Sequence, residues 1–414
     1  MDEEHDASFK QDEGFVYHAK EIAWSRAMRQ NALLVLGSAT PDVRTFYAAK
    51  SGTLPILYLP KRVSGRDLPP IEMVNTRERQ SMSEAVTLLS LKSLNALTET
   101  VRAGQQAVVL INRRGYAPHL YCLDCGKTEH CPHCEIALTF HKARGRLVCH
   151  YCGYSKPYPS PCSNCGSAAF LPMGEGTERL AEELSTYFGQ RVLRLDRDST
   201  VKPGRMESIL KSFANQEAQI LVGTQMLSKG HHFPKVTLVI AADCDLGLNF
   251  PDYRAAERTF QLLIQSAGRA GRGELPGRVF LQTRDVNHYC FHYVLNNDYE
   301  GFYQNEIERR EKYLYPPFVN LALVRMSYER ENEKAPAELK SLGTIMNDIA
   351  NKQNVKMLGP ATSPLSMLRN RYRYQILLKA SSWKNIRDTY QIAINKTKIK
   401  HMRITLDLDP MNML

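Results

Sequence analysis

At 414 residues the chain is long enough for two or three domains. A composition of 43% hydrophobic and 23% charged residues is globular and excludes a disordered chain or a coiled coil. Lys and Arg outnumber Asp and Glu by 54 to 43, and residues 301–414 hold 19 of the basic against 11 of the acidic residues. That basic C-terminal region points to a polyanionic partner, nucleic acid first. No apolar run approaches the ~20 residues of a membrane span. Asp2, Glu3 and Glu4 stand where a secretory signal would be positive, so a cytoplasmic location with no membrane partner is expected.

The chain opens Met1-Asp2-Glu3-Glu4-His5, an acidic box in which one carboxylate can hold Mg²⁺ and the next can orient an attacking water. Leu33 to Leu36 reads as a buried parallel strand. It runs into Gly37-Ser38-Ala39-Thr40-Pro41, which places Ser38 and Thr40 at a strand's carboxyl end, where ligands of open α/β sheets bind. A proline- and charge-rich stretch, 61–81, reads as a linker. Ser83 to Thr100 has helical spacing through Leu88, Leu91, Leu94 and Leu97. Val108 to Ile111 is a second buried strand, leaving into the cationic loop Asn112-Arg113-Arg114-Gly115.

Eight of the ten cysteines then fall between 122 and 165, in four Cys-x-x-Cys pairs: Cys122/Cys125, Cys131/Cys134, Cys149/Cys152 and Cys162/Cys165. Eight thiolates make two tetrahedral Cys₄ sites with none left over, and zinc is the favoured metal. Four-thiolate closure leaves no position for water, so the two Zn²⁺ are structural. Spacing leaves the pairing of the four knuckles open. With enough cysteines present, His130, His133, His141 and His150 are expected at the surface. Cys244 and Cys290 lie in apolar stretches as inert thiols.

Past the cysteines, Glu178 to Phe188 reads as a helix. Ile220 to Val222 is a strand leading into Gly223-Thr224-Gln225-Met226-Leu227-Ser228-Lys229-Gly230, where Thr224 and Lys229 can contact phosphates and Gly230 allows close backbone approach. A further strand, Val236 to Ile240, ends near Asp243 and Asp245. In Gln265-Ser266-Ala267-Gly268-Arg269-Ala270-Gly271-Arg272 the two arginines stand three apart. On a helix they share a face, and an anion such as a γ-phosphate would relieve their repulsion. Residues 301–313 read as a helix stopped by Tyr315-Pro316-Pro317. Strand-like runs (Leu321 to Met326, Tyr374 to Leu378, Ile404 to Leu408) and a helix at 335–351 make the remainder a small α+β domain. Within it Arg369, Arg371 and Arg373 alternate with tyrosines as a basic stripe suited to DNA phosphates.

Taken together, the Asp-Glu-Glu-His box, Gly-Ser-Ala-Thr, Gly-Thr-Gln-Met-Leu-Ser-Lys-Gly and Gln-x-x-Gly-Arg-x-Gly-Arg resemble, in order and spacing, the superfamily 2 helicases. The eight-cysteine insertion after Leu110-Ile111-Asn112-Arg113-Arg114-Gly115-Tyr116 narrows the resemblance to the primosomal replication-restart helicases of the PriA family. The resemblance implies an α/β fold of RecA-like lobes. Lobe one is partial (1–60) and, after the 61–81 linker, lobe two is complete (82–300) and interrupted by a double-zinc module (121–167). A connecting helix (301–316) then leads to a C-terminal DNA- or partner-binding domain (317–414).

The resemblance further implies an ATP-dependent 3′→5′ DNA helicase of bacterial replication restart, a cytoplasmic, nucleoid-associated monomer. Its implied partners are branched and single-stranded DNA, primosome proteins and single-stranded-DNA-binding protein. Asp2 would take Mg²⁺ and Glu3 would serve as hydrolytic base. His5 with Gln265 would link nucleotide and DNA sites, Ser38 and Thr40 would couple hydrolysis to movement, and Arg269 and Arg272 would reach the γ-phosphate. Phe9, Phe15 and Tyr17 would sense single-stranded DNA. The family pairing nests the zinc sites, with Cys122, Cys125, Cys162 and Cys165 outside and Cys131, Cys134, Cys149 and Cys152 inside. Two departures stand out. His232 replaces an acidic residue of many related motors, and no Gly-x-x-x-x-Gly-Lys-Ser/Thr phosphate loop occurs anywhere in the 414 residues. The chain is therefore expected to be the C-terminal portion of such a helicase, without ATP hydrolysis of its own. The rival reading is a non-enzymatic zinc- and DNA-binding module.

Overall fold

A computed structural model of the chain describes residues 1–11, 16–59, 69–77, 81–111, 120–134, 136–141, 145–172, 177–196, 199–228, 233–271, 273 and 275–413. The first part is loosely built. A two-residue antiparallel pair, β1 (Lys10–Gln11) and β2 (Tyr17–His18), precedes α1 (Ala19–Gln30), which ends on Asn31 in the left-handed conformation. Asp42 caps α2 (Val43–Lys50) by accepting from Arg44 N at 2.8 Å.

The strand expected at Leu33 to Leu36 is not formed. Among the described residues its backbone bonds residues 1–4: Val35 O accepts from the Met1 terminus at 2.6 Å, and Gly37 N donates to Met1 O at 2.8 Å. With one neighbour and no covering layer among the described residues, Leu33 is 89% and Val35 64% exposed, and Leu57 and Leu59 are both 93% exposed.

The central domain is a six-stranded, wholly parallel sheet. β3 (Ile71–Asn75) is followed by α3 (Leu91–Arg102) and β4 (Gln106–Ile111). β3 lies inside the expected linker. Pro69 and Pro70 disguise it, and as an edge strand paired only with a later one it carries a weak apolar pattern. α3 starts at Ser90, whose hydroxyl accepts from Ser93 N, so the helical spacing before it belongs to a capped turn in which Val86 and Leu89 are nonetheless buried.

The cysteine-rich insertion is closed by β5 (Leu120–Cys122) against β9 (Phe170–Pro172) and contains the three-stranded sheet β6 (Thr139–His141), β7 (Arg146–Val148) and β8 (Ser155–Pro157). The parallel domain resumes with α4 (Thr177–Phe188), β10 (Val192–Leu195), α5 (Arg205–Ala214), β11 (Ile220–Gly223), β12 (Val236–Asp243), α6 (Asp245–Leu248), α7 (Ala255–Ala267), β13 (Arg278–Thr283) and α8 (Tyr289–Leu295). The strand order is β10-β11-β4-β12-β13-β3. β4, β11 and β12 are buried at every residue, as a sheet covered on both faces requires. Alternate residues feed two cores: Val108 and Leu110 join Phe213, Phe260 and Phe291, whereas Val109 and Ile111 join Leu97, Leu180 and Leu184.

α9 (Tyr299–Lys312) leads to an antiparallel domain made of β14 (Asn320–Glu329), α10 (Ala335–Lys352), β15 (Lys356–Leu368), β16 (Arg371–Ala380), α11 (Trp383–Lys396) and β17 (Arg403–Leu408), in the order β15-β16-β14-β17. β15 escapes a sequence reading because Gly359, Pro360 and Pro364 look like turn residues. The strand absorbs them in two register breaks against β16. One face packs Val324, Met326, Ile376 and Leu378 on Leu342, Met346 and Ile386 of the two helices, and the other faces the cysteine-rich insertion. Among the described residues no helix is long and apolar enough to cross a membrane.

Candidate functional site

Helix α7 carries a stripe of Glu257, Gln261 and Gln265, spaced four apart so that they share one face. Each bonds the N-terminal segment. Glu257 Oε1 accepts from Val43 N at 2.8 Å, Gln261 Nε2 donates to Thr40 O and Pro41 O at 3.3 Å each, and Gln265 Nε2 donates to Glu3 Oε2 at 3.1 Å and to His5 Nε2 at 2.7 Å. His5 Nδ1 lies 2.7 Å from Ser38 Oγ, which also accepts from Thr40 N at 3.0 Å. With Nε2 accepting from Gln265, the proton sits on Nδ1 and is given to Ser38, so both ring nitrogens and both amide N–H groups are used. The acidic box, Gly-Ser-Ala-Thr and the glutamine of the arginine motif, 260 residues apart in sequence, thus meet in one hydrogen-bonded chain.

Buried ions brace this contact, and no pattern in the sequence announced them. Glu4, 2% exposed, accepts from Asp42 N at 2.6 Å and Thr45 Oγ1 at 3.0 Å and pairs with Lys20. Arg310, also 2% exposed, joins Glu257 at 2.7 Å to Glu306 at 3.0 Å. From the C-terminal domain Asp409 pairs with Arg44 and with Arg254 (3.4 Å), while Asp407 lies 3.0 Å from Lys10 and 2.7 Å from Arg325. Burial alone would raise the Asp42 and Asp409 carboxyls. Lys20 and Arg254 for Asp42, and Arg44 and Arg254 for Asp409, outweigh it and hold both below the usual range.

The other expected site residues are placed unevenly. Asp2 is exposed beside Gly37, with Oδ1 accepting from Glu3 N at 2.9 Å. Phe9 is half-buried at the end of a short 3₁₀ turn and Tyr17 is 41% exposed on β2. Arg269 corrects the shared-helix expectation: α7 stops at Ala267, and buried Arg269 lies in the following turn, which reverses at Gly271 with φ +70°. Thr224 follows β11, where its N donates to Leu195 O at 3.2 Å. Phe15, Arg113, Arg114, Lys229, Gly230, His232 and Arg272 lie outside the described residues. Arg371 and Arg373 alternate with Tyr372 and Tyr374 along β16, and Tyr374 stacks on Tyr328 on the helix-covered side. Arg371 is tied to Glu329 at 2.9 Å, and Arg369 sits in the turn before β16 with φ +50° and so leaves the stripe.

The eight cysteines gather into two clusters, Cys122, Cys125, Cys162 and Cys165 in one and Cys131, Cys134, Cys149 and Cys152 in the other, each with all sulfurs within 4.8 Å of one another. Zn–S bonds of about 2.3 Å place tetrahedral sulfurs about 3.8 Å apart. The Cys122–Cys165, Cys125–Cys162 and Cys131–Cys152 separations are 3.5, 3.7 and 3.7 Å, so each cluster fits one structural zinc ion. The metal would supply a covalent-strength crosslink and no reactive position. Gly126, Gly153 and Gly166 close three knuckles at φ of +75°, +79° and +78°, each donating N–H to the carbonyl of the pair's first cysteine.

His150 corrects a surface expectation. It is fully buried, with Nδ1 donating to Thr362 O at 2.6 Å and Nε2 3.4 Å from His141. The outer knuckle seats on the parallel domain, where Arg77 Nη2 donates to Cys125 O and Arg284 O at 3.1 Å each and Arg284 lies over the Tyr121 ring. Beneath it Asp243 and Asp245 share Arg284. Burial, then the Asp243 charge, pushes the Asp245 carboxyl up to about 7.

A parallel sheet covered on both faces, joined by the α7 stripe to an acidic box and carrying two tetrathiolate knuckle pairs, defines a helicase motor lobe with an inserted zinc module. Family models agree: the PriA DNA helicase Cys-rich region matches residues 131–157, the helicase conserved C-terminal domain 168–274, and the primosomal protein N C-terminal domain 311–411. Replication restart protein PriA of Bacillus subtilis is 40% identical over all of this chain and 52% of its own length. The Rickettsia felis protein is 38% identical over 99% of this chain and 63% of its own, and the Haemophilus influenzae protein 37% over 100% and 56%. The chain belongs to the PriA family, and it spans about half the length of the curated relatives it matches.

Proposed function

We propose that this chain is the C-terminal motor portion of an ATP-dependent 3′→5′ DNA helicase that binds stalled replication forks and starts primosome assembly in the bacterial cytoplasm. The observation that carries the reading is the Gln265–His5–Ser38 chain, which gives the acidic box a hydrogen-bonded path to the other lobe. Asp2 would hold Mg²⁺, Glu3 would orient the water that attacks bound ATP, and Arg269 with Arg272 would meet the γ-phosphate. Gly230 would approach the nucleotide, and Ser38 and Thr40 would pass its state to the DNA groove. The buried Thr40 hydroxyl, which has no hydrogen-bond partner among the described residues, supports such an engagement. Phe9, Phe15 and Tyr17 would stack on single-stranded DNA, and Arg113, Arg114, Thr224, Lys229, Arg369, Arg371 and Arg373 would take phosphates. Primosome proteins and single-stranded-DNA-binding protein are the proposed protein partners.

Without a phosphate loop in its 414 residues, the chain by itself is expected to bind forked DNA in a salt-sensitive way and to turn over no ATP. The test is strand displacement on forks by a form that also carries the family's phosphate loop. Unwinding with 3′→5′ polarity, abolished by Arg269→Ala with DNA affinity kept, is the expected result. Full turnover in that variant would remove the arginine from the mechanism, and absence of unwinding in the parent form would favour the zinc- and DNA-binding module.

A further inference from the structure

The two tetrathiolate sites have the same composition and opposite surroundings. The outer one is open, with Cys165 exposed and Cys125 partly so. The inner one is part of a hydrophobic core in which Cys131, Cys134 and Cys149 pack with Tyr315, Leu321, Leu323, Leu377 and Met413, all from beyond α9. Polar bonds cross the same boundary. Tyr315 OH donates to Cys134 O at 3.0 Å, Gln375 Nε2 donates to His150 O at 2.7 Å, and His150 Nδ1 donates to Thr362 O at 2.6 Å. Tyr151 OH accepts from Tyr253 N at 3.2 Å, and the Tyr253 ring stacks on Tyr315 at 4.7 Å, which brings the approach to α7 to the same point. Every group bonded on the insertion's side, Cys134, His150 and Tyr151, is a ligand or lies between ligands. Their positions therefore exist only while the knuckles are closed.

One charge enters this core. Lys379, 4% exposed on β16, donates to Tyr313 O at 3.1 Å and lies 3.6 Å over the Tyr315 ring, the ring whose hydroxyl holds Cys134. Among the described residues no carboxylate pairs with it. A buried ammonium without an anion is costly, and a zinc ion bound by four thiolates carries a net charge of −2.

We propose that the inner zinc ion fastens the C-terminal domain to the motor lobe, that Lys379 supplies the charge balancing its thiolates, and that the outer ion takes no part in this fastening.

The test uses the full zinc-loaded chain. A mercurial releases the metal, a chromophoric chelator counts it, and hydrogen exchange is followed by mass spectrometry. Two steps are expected. The first, suppressed from the start in Cys165→Ser, leaves exchange in 320–329 and 371–380 unchanged, and the second raises it in both. Loss of both ions without that rise, or a rise with the first ion, overturns the proposal. For the charge, Lys379→Met is expected to lower inner-site zinc affinity about 10-fold or more, the size of effect seen for groups outside a metal's ligand set. Lys379→Arg is expected to stay close to wild type. Unchanged affinity in Lys379→Met overturns the role of Lys379, and should that variant fail to fold, the two-step release on the unaltered chain decides the fastening.

Discussion

The two ends of the chain are held by different forces. The domain after α9 closes its own core, with Leu342, Met346, Ile376 and Leu378 all at 0% exposure. The segment before residue 60 buries little beyond Val43 and Phe46, which pack on Tyr303 and Ile307 of α9. It is held instead by hydrogen bonds to the α7 stripe and by buried ions, while Leu33, Val35, Leu57 and Leu59 face outward. Apolar contact secures a domain without fixing a register. Directional bonds fix the register of the acidic box against α7.

That contrast can be broken most severely at the ions. Arg310→Met leaves Glu257 and Glu306 buried with no cation and is expected to cost about 3–5 kcal/mol in urea unfolding. A cost below about 1 kcal/mol would mean that the cluster is not what holds the segment. Met346→Ala, a cavity in the self-contained C-terminal core, is expected to cost about 2–5 kcal/mol, with exchange in residues 1–50 untouched.

A pH series tests the buried pair between the zinc module and the parallel sheet. Asp245 has its carboxyl raised from 3.8 to about 7, so the folded state binds the extra proton and stability falls as pH rises through that window. Asp245→Asn should flatten unfolding free energy between pH 5 and 7, and an unchanged slope would assign the titration elsewhere. Gln265→Ala, losing hydrogen bonds at a half-exposed site, should cost about 1 kcal/mol while making residues 1–11 more sensitive to protease. Leu57→Ser, at an exposed side chain, should stay within about 0.5 kcal/mol; a larger loss would show that the exposed apolar residues are packed in solution.

Much of the fold was legible because its signals are local. The runs at 108–111, 220–222 and 236–240 are continuous apolar strands, and they form the centre of the sheet. The four Cys-x-x-Cys pairs announced two metal sites. What was misread depended on neighbours. Leu33 to Leu36 has the composition of a buried strand, yet a strand needs partners on both sides and a layer above it. β3 and β15 carry prolines that ordinarily end strands, and their ladders tolerate them at an edge and at register breaks. Arg269 and Arg272 have helical spacing, but α7 ends at Ala267, capped by Gly268, before the first of them.

The sequence by itself determined the metal chemistry, the parallel strands and the motifs of the family, because thiolate spacing, apolar runs and glycine turns act over a few residues. Residue spacing left open which cysteines share an ion and whether His5 and Gln265 touch; the tertiary structure settled both and showed that Asp407 and Asp409 reach back to Lys10, Arg44 and Arg254. Those contacts join residues up to about 400 positions apart. Their partners are selected by burial, which makes an unpaired charge or an unmade hydrogen bond too costly to keep, and burial exists only once the whole chain has folded.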